Sequence, residues 1–344
     1  MEDVFGLARS PFHKPRQNKV PTSDPDTALA FVKYDLTAAE FIVSNNYNQA
    51  DTLTQLNESW PANTPIADRN IQEFPNTSSA TSFALKPVWN LVSQTGQTAL
   101  PVWPGPPDPA KAFGSGAWST CVIIDPAHKG PPSTAKGQCN NTSGTYPLIG
   151  VDAFIHFQIT EEQAAGINEG GGGTSLPEKT TKAGDYAVLV AMHVTTKELK
   201  RWTWQTFWWS SNPDSPHAPS SAEIASLRSQ TKVPLQGAAA NYATCTAYQM
   251  VFPVQPYSGG SSSGTRPLFC YNPYLEAGFG SSTFDDQQGF GVQTNCMSCH
   301  ANAHWPNPNN TPHYVTDQYV DLGGPQFSGI TKVDFLWSIA DNVK

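Results

Sequence analysis

Cys296 and Cys299 enclose two residues and are followed at once by a histidine, in the run Cys296-Met297-Ser298-Cys299-His300. Two thiols at that spacing can form thioether bonds to the two vinyl groups of a haem, and the adjacent imidazole can supply the proximal nitrogen to its iron. The spacing therefore points to one covalent haem c, held by Cys296 and Cys299 and ligated by His300. Two plainer chemistries use the same residue types. A redox-active dithiol belongs near a βαβ pattern, whereas this pair follows the Gly- and Gln-rich stretch FDDQQGFGVQTN. Half of a zinc site would need further ligands, for which His304 and His313 stand close along the chain.

Iron in such a site has a second axial position. Imidazole and thioether are its usual occupants, so His128, His156, His193, His304, His313, Met192 and Met250 are the candidates. Met297 lies inside the loop of the motif and does not reach across the ring. The first choice is His193, which sits in the middle of an apolar run on the face opposite Met192, where an imidazole without a partner is costly to bury. Met250 and His304 are the next candidates for the distal iron ligand. The alternatives to ligation are an ordinary hydrogen-bonded histidine at 193 and an open or water-bound iron, which would favour catalysis.

The whole chain bounds what surrounds this chemistry. With 344 residues it is far longer than one haem needs for wrapping, and it can bury one large core or two. A net charge of −8 and the absence of a Lys/Arg-rich run exclude nucleic acid as a partner. An acidic surface suits a basic redox partner protein, or simply solubility. Four further cysteines, Cys121, Cys139, Cys245 and Cys270, form an even set, with Cys121–Cys139 and Cys245–Cys270 as the most local pairing and buried free thiols as the alternative. No run of about 18 apolar residues marks a membrane span. The N-terminal run MEDVFGLARSPFHKPRQ lacks the apolar region of a signal peptide, yet haem attachment normally follows export, so a removed leader and a periplasmic or extracellular location are expected. Oligomeric state leaves no mark in the sequence.

The elements that must position the motif are mostly strands. Residues 1–26, with Pro11, Pro15, Pro21 and Pro25, read as an extended arm, and 27–344 as a single large β-rich domain carrying its haem segment at 285–344. Apolar spacing predicts a helix from Thr27 to Asn46, capped by Asp26 or Thr27. FALKPVWNLV at 83–92 reads as a strand or sheet edge, since Pro87 removes a backbone donor. Pro and Gly between 101 and 147 predict loops around the short run CVIID. DAFIHFQIT (152–160) alternates as a half-buried strand should, and four glycines, Gly170 to Gly173, form a loop tip. DYAVLVAMHVTTKE (185–198) and WTWQTFWW (202–209) predict an antiparallel hairpin, with Trp202, Trp204 and Trp208 on one face and Phe207 and Trp209 on the other. AEIASLRSQ (222–230) looks helical, SGGSSSG (258–264) a loop tip, and KVDFLWSIADNV (332–343) a closing helix. The fold class expected is mainly β with some α: an antiparallel sheet or sandwich with long loops and a haem-binding C-terminal segment.

The strand block HVTTKELKRWTWQTFWW, the earlier FALKPVWNLV, the motif CMSCHANAH and the closing DFLWSIA together resemble a group of large bacterial cytochrome c family proteins. In that group a His-x-x-Thr-Lys strand leads into a Trp-x-Trp-x-Thr-Phe strand and then to one C-terminal CxxCH. The resemblance places His193, Lys197, Trp202, Trp204, Thr206 and Phe207 at its signature positions, and Cys296, Cys299 and His300 at the haem. Trp208 stands where the group carries an acidic residue. The resemblance implies haem and export without naming a reaction.

Three functions fit these residues. The first is single-haem electron transfer in the periplasm or outside the cell. The second is a haem-dependent oxidoreductase with an open iron in an aromatic pocket. The third is a surface or assembly protein in which the haem is structural.

Overall fold

The computed structural model describes residues 28–30, 32–77, 80–105, 114–168, 180–217, 228, 235–277, 295–306, 318–341 and 343. The N-terminal arm, the Gly170 to Gly173 run, the 222–230 stretch apart from Arg228, His313, and 285–294 of the expected haem segment lie outside them.

The chain is mainly β with some α, and nearly all of its strand pairs are antiparallel. The principal sheet runs Ala28–Ala30, Phe83–Val92, Tyr186–Thr196, Thr203–Trp209 and Tyr242–Ala247 in spatial order, with Lys33–Tyr34 also on Phe83–Val92 and His156–Gln158 also on Tyr186–Thr196. Val, Leu and aromatic residues dominate the two long central strands, which suits a pleated surface covered by neighbours. Their hairpin forms as the sequence predicts, in the register His193 opposite Thr206 and Thr195 opposite Trp204. Trp202 falls in the connecting turn rather than the strand, at φ 55°, while Trp204 and Trp208 share one fully buried face.

Opposed residues in a sheet point to the same side. Lys86, His193, Thr206 and Cys245 therefore form one row across four strands, next to the row Ala84, Thr195, Trp204 and Ala247. The C-terminal part of the chain packs on this face. The Cys245–Cys270 disulfide ties it there, and Cys121–Cys139 closes the second sheet, so both local pairings are as expected.

Four local expectations are corrected. The 27–46 stretch is not one helix: Ala28–Ala30 and Lys33–Tyr34 pair with Phe83–Val92, and the helix spans only Leu36–Ser44. Pairing along a long strand outweighs helical periodicity here, because propensity is a weak prior against tertiary contacts. The helix starts where Asp35 accepts from the amides of Thr37 and Ala38, and the same carboxylate accepts from the Phe83 amide at 3.0 Å. Asp35→Ala should therefore cost about 1–2 kcal/mol, the scale of a lost N-cap, read as a lower urea midpoint at unchanged slope.

The 101–147 region is not mainly loop. It builds a four-stranded sheet in the order Thr98–Pro101, Cys121–Ile124, Thr142–Ile149 and Ser133–Cys139. The polar strand Ser133–Cys139 is an edge, stapled by Cys139 and turned back by Asn140 at φ 47°, a conformation that Asn tolerates. Finally, 152–160 holds only the short strand His156–Gln158, and the closing helix shrinks to Trp337–Asp341. One principal hydrophobic cluster contains residues from Ala38 to Ala340 and underlies the CxxCH segment.

Candidate functional site

The motif occupies the short helix Cys296–Ala301. Asn295, wholly buried, caps it by accepting from the Met297 amide, and its own amide donates to the carbonyls of Gln249 at 2.7 Å and Met250 at 3.3 Å. Ser298 Oγ donates to the Gln318 carbonyl at 2.7 Å, so the helix is tied down on both flanks. Residues three apart share a helix face, which brings the thiols of Cys296 and Cys299 to one side. Both are free while the other four cysteines are bridged. Burial pushes both thiols well up, with the Glu276 carboxylate adding to the effect. That is the reverse of a redox-active CxxC, whose attacking sulfur needs a lowered pKa.

His300 projects against Trp204, with ring centroids 4.5 Å apart. Its Nδ1 lies 2.7 Å from the Phe335 carbonyl oxygen, which can only accept, so Nδ1 carries the proton and Nε2 keeps its lone pair. Burial pushes the imidazole pKa down to about 3, opposed by the Phe335 bond and reinforced by His193 and Lys86. The ring is therefore neutral at ordinary pH, the state an iron ligand requires.

The Phe335 carbonyl is itself held in place. Asp334 and Phe335 both take left-handed backbone, at φ 47° and 69°, which costs a few kcal/mol unless the surroundings enforce it. Lys197 enforces it: its Nζ lies 2.9 Å from each Asp334 oxygen and donates to the Lys200 carbonyl at 2.7 Å, with both side chains almost fully buried. The Phe74 amide donates to Asp334 Oδ2, and the Asp334 amide donates to Asn70 Oδ1.

His193 shares the sheet face on which His300 packs. Its Nε2 lies 3.1 Å from Glu276 Oε1, and its Nδ1 is buried without a partner. The other Glu276 oxygen accepts from the Asn272 amide, and Asn272 Nδ2 donates to Thr206 Oγ1 at 2.7 Å, so His193, Glu276, Asn272 and Thr206 form one buried network. Only Nδ1 of His193 is free for a metal. Met250 Sδ accepts from the Val320 amide at 3.3 Å. His304 Nδ1 donates to the Asn302 carbonyl at 2.6 Å, and its ring stands edge-on to Trp337. Each of the three distal candidates thus has a hydrogen-bonded partner.

Among the described residues, no group of three or more His, Cys, Asp or Glu side chains is arranged to hold a metal ion, so the zinc reading through His304 gains no geometric support. A cavity of about 550 Å³ bordered by Trp209, Asp152 and Lys129 shares no residue with the Cys296–Ala301 helix. No described helix is long and apolar enough to cross a membrane. Sequence reasoning did not single out Glu276, Asn272, Lys86 or Asp334. The one signal available for Glu276 was a lone acid in the aromatic run FCYNPYLEAGF.

Comparison of the chain with protein-family models, with curated proteins and with solved structures gives no match in any of the three.

Proposed function

We propose that this protein is a c-type haem protein that transfers single electrons in the periplasm or outside the cell. The observation that carries the reading is the arrangement at Cys296–His300: two unbridged, protonated thiols on one helix face, beside a neutral imidazole whose Nδ1–H is spent on a backbone carbonyl and whose Nε2 is left as a donor. These residues fit a haem stitched through both sulfurs. Bound there, it would supply an Fe(II)/Fe(III) couple. The chain's own part is to hold and tune: His300 would ligate, Trp204 fixes its ring, and the Phe335 carbonyl raises the basicity of Nε2 and so favours the ferric state. Two disulfides agree with an oxidising compartment, where such attachment takes place. A docked redox partner protein would complete the transfer.

The second reading, a haem oxidoreductase with an open iron, is favoured by one observation. His193 has its Nε2 on Glu276 and Met250 has its Sδ on the Val320 amide, so ligation by either of these atoms would displace an existing hydrogen bond.

The pyridine haemochrome spectrum of the native protein should show both vinyl groups saturated, and Cys299→Ser should change it to that of a haem with one vinyl retained, or abolish attachment. A native protein with no covalent porphyrin would end both readings. Carbon monoxide then separates them: an unchanged low-spin spectrum supports electron transfer, and rapid adduct formation supports the open iron.

A further inference from the structure

A second cavity, of about 320 Å³, opens behind the His300 anchor, with Phe335 and Ala301 in its wall. Three cationic side chains line it, Lys200, Arg201 and Lys332, together with three acidic ones, Asp68, Glu73 and Asp334. Most of these charges are already answered. Asp334 is paired with Lys197, Lys200 lies 3.6 Å from Glu73, and Lys332 donates to the Ile66 carbonyl while feeling the field of Asp68.

Arg201 is the exception. It is 7% exposed, and neither Nε nor Nη2 has a hydrogen-bond partner. No carboxylate among the described residues makes an ion pair with it, and Asp321, which acts on it only through its field, accepts from the amides of Gly259 and Gly323. The Tyr257 ring covers one face of the guanidinium at 3.3 Å, which leaves the edge unsatisfied. Burial lowers its pKa only to about 10, so it stays charged at neutral pH. A buried guanidinium without a counter-charge is a standing cost to the fold. The two unpartnered nitrogens are the pair on one edge of the fork, the edge that grips a carboxylate with two parallel hydrogen bonds.

The geometry points to a binding site for a small carboxylic acid, its carboxylate on the Nε/Nη2 edge of Arg201 and its apolar body against Ile71, Leu322 and Phe335. A single leftover positive charge matches a monoanion, and the apolar wall favours an organic acid over inorganic phosphate. The volume lies at the lower end of the roughly 300–1,000 Å³ range of small-molecule pockets. Both nitrogens are closed to water as they stand, so entry requires the Arg201 side chain or the Tyr257 ring to shift. The site is independent of the haem reading, since none of its lining residues is a candidate iron ligand.

Isothermal titration of the full chain with sodium benzoate and, separately, sodium phosphate at fixed ionic strength tests this. Benzoate should bind at a single site, and Arg201→Met should weaken it at least tenfold. Arg201→Lys retains the charge but not the two-pronged edge, so it should also weaken binding, and it carries the test if the methionine variant does not fold. The site is refuted if benzoate fails to bind the native protein at millimolar concentration, if it binds native and variant proteins equally, or if phosphate alone binds.

Discussion

Lys197→Met should lower the stability of the fold by about 3–5 kcal/mol, the scale of stranding one member of a buried ion pair. The substitution keeps the length of the side chain but leaves Asp334 as a nearly sealed carboxylate facing no cation. Asp334 already sits above its ordinary pKa of 3.8 because of burial, and Lys197 is the strongest influence holding it down. Removing the ammonium raises it further. A carboxylate whose folded pKa exceeds its unfolded value favours the native state at low pH and disfavours it as pH rises through the folded value. The deficit in Lys197→Met should therefore be largest at neutral pH and shrink on acidification. Lys197→Met combined with Asp334→Asn should recover part of the loss, since neither charge is then stranded. Urea unfolding of the three variants across pH checks this. A loss for Lys197→Met below about 1 kcal/mol, typical of exposed pairs, would show that the pair is not buried as described.

The pair also reaches the candidate site, because the Phe335 carbonyl that holds His300 Nδ1 hangs from the residue Lys197 grips. In a haem-loaded protein, loosening that carbonyl should raise the reduction potential, since a less basic imidazole stabilises the ferric state less.

The second large effect is expected at the Cys245–Cys270 disulfide. Replacing both cysteines with alanine should cost about 3 kcal/mol, from a sequence separation of 25 residues and the chain entropy regained by the unfolded state. The loss should be local in its first signs. Cys270 lies two residues before Asn272, whose side chain holds Thr206 and whose amide engages Glu276, so amide exchange should rise first around Asn272 to Glu276 and at His193. The Cys121→Ala/Cys139→Ala variant, in the other sheet, should lose comparable stability without that change near His193. Uniform exchange in both variants would contradict this assignment.

What could be read from the sequence follows from which signals are local. The hairpin of Tyr186–Thr196 and Thr203–Trp209 was legible because β-branched and aromatic residues alternate over a short connection. The disulfides were legible from parity and proximity along the chain. Ala28–Ala30 was misread because its pattern fits a helix, and only the partner strand some sixty residues later makes it extended. Ser133–Cys139 was missed because an edge strand needs no apolar alternation, and its staple and its turn at Asn140 supply the order instead. In the site, the thiols and His300 announce themselves by spacing, whereas Glu276 and Asp334 look like ordinary solvated acids until tertiary contacts bury them. Trp202, Trp204, Trp208 and Trp209 are all buried in the principal core, although Trp202 lies in the turn before the strand that alternation assigns it to.

The early part of the chain grips the late part at several points. Tyr34 bonds Ser338, Trp60 donates to Thr331, Asn70 bridges Lys332, and the Phe74 amide meets Asp334. Such pairings join residues some 260 to 300 positions apart, so the entropy of closing very long loops must be met before they form, and folding of this architecture should be slow. In a chain emerging from its N-terminus, those four early residues wait for their partners until nearly everything else has been made. The Cys296–Ala301 helix is likewise made before Phe335 and Trp337, so the carbonyl that accepts from His300 and the indole that donates to Cys299 reach it last.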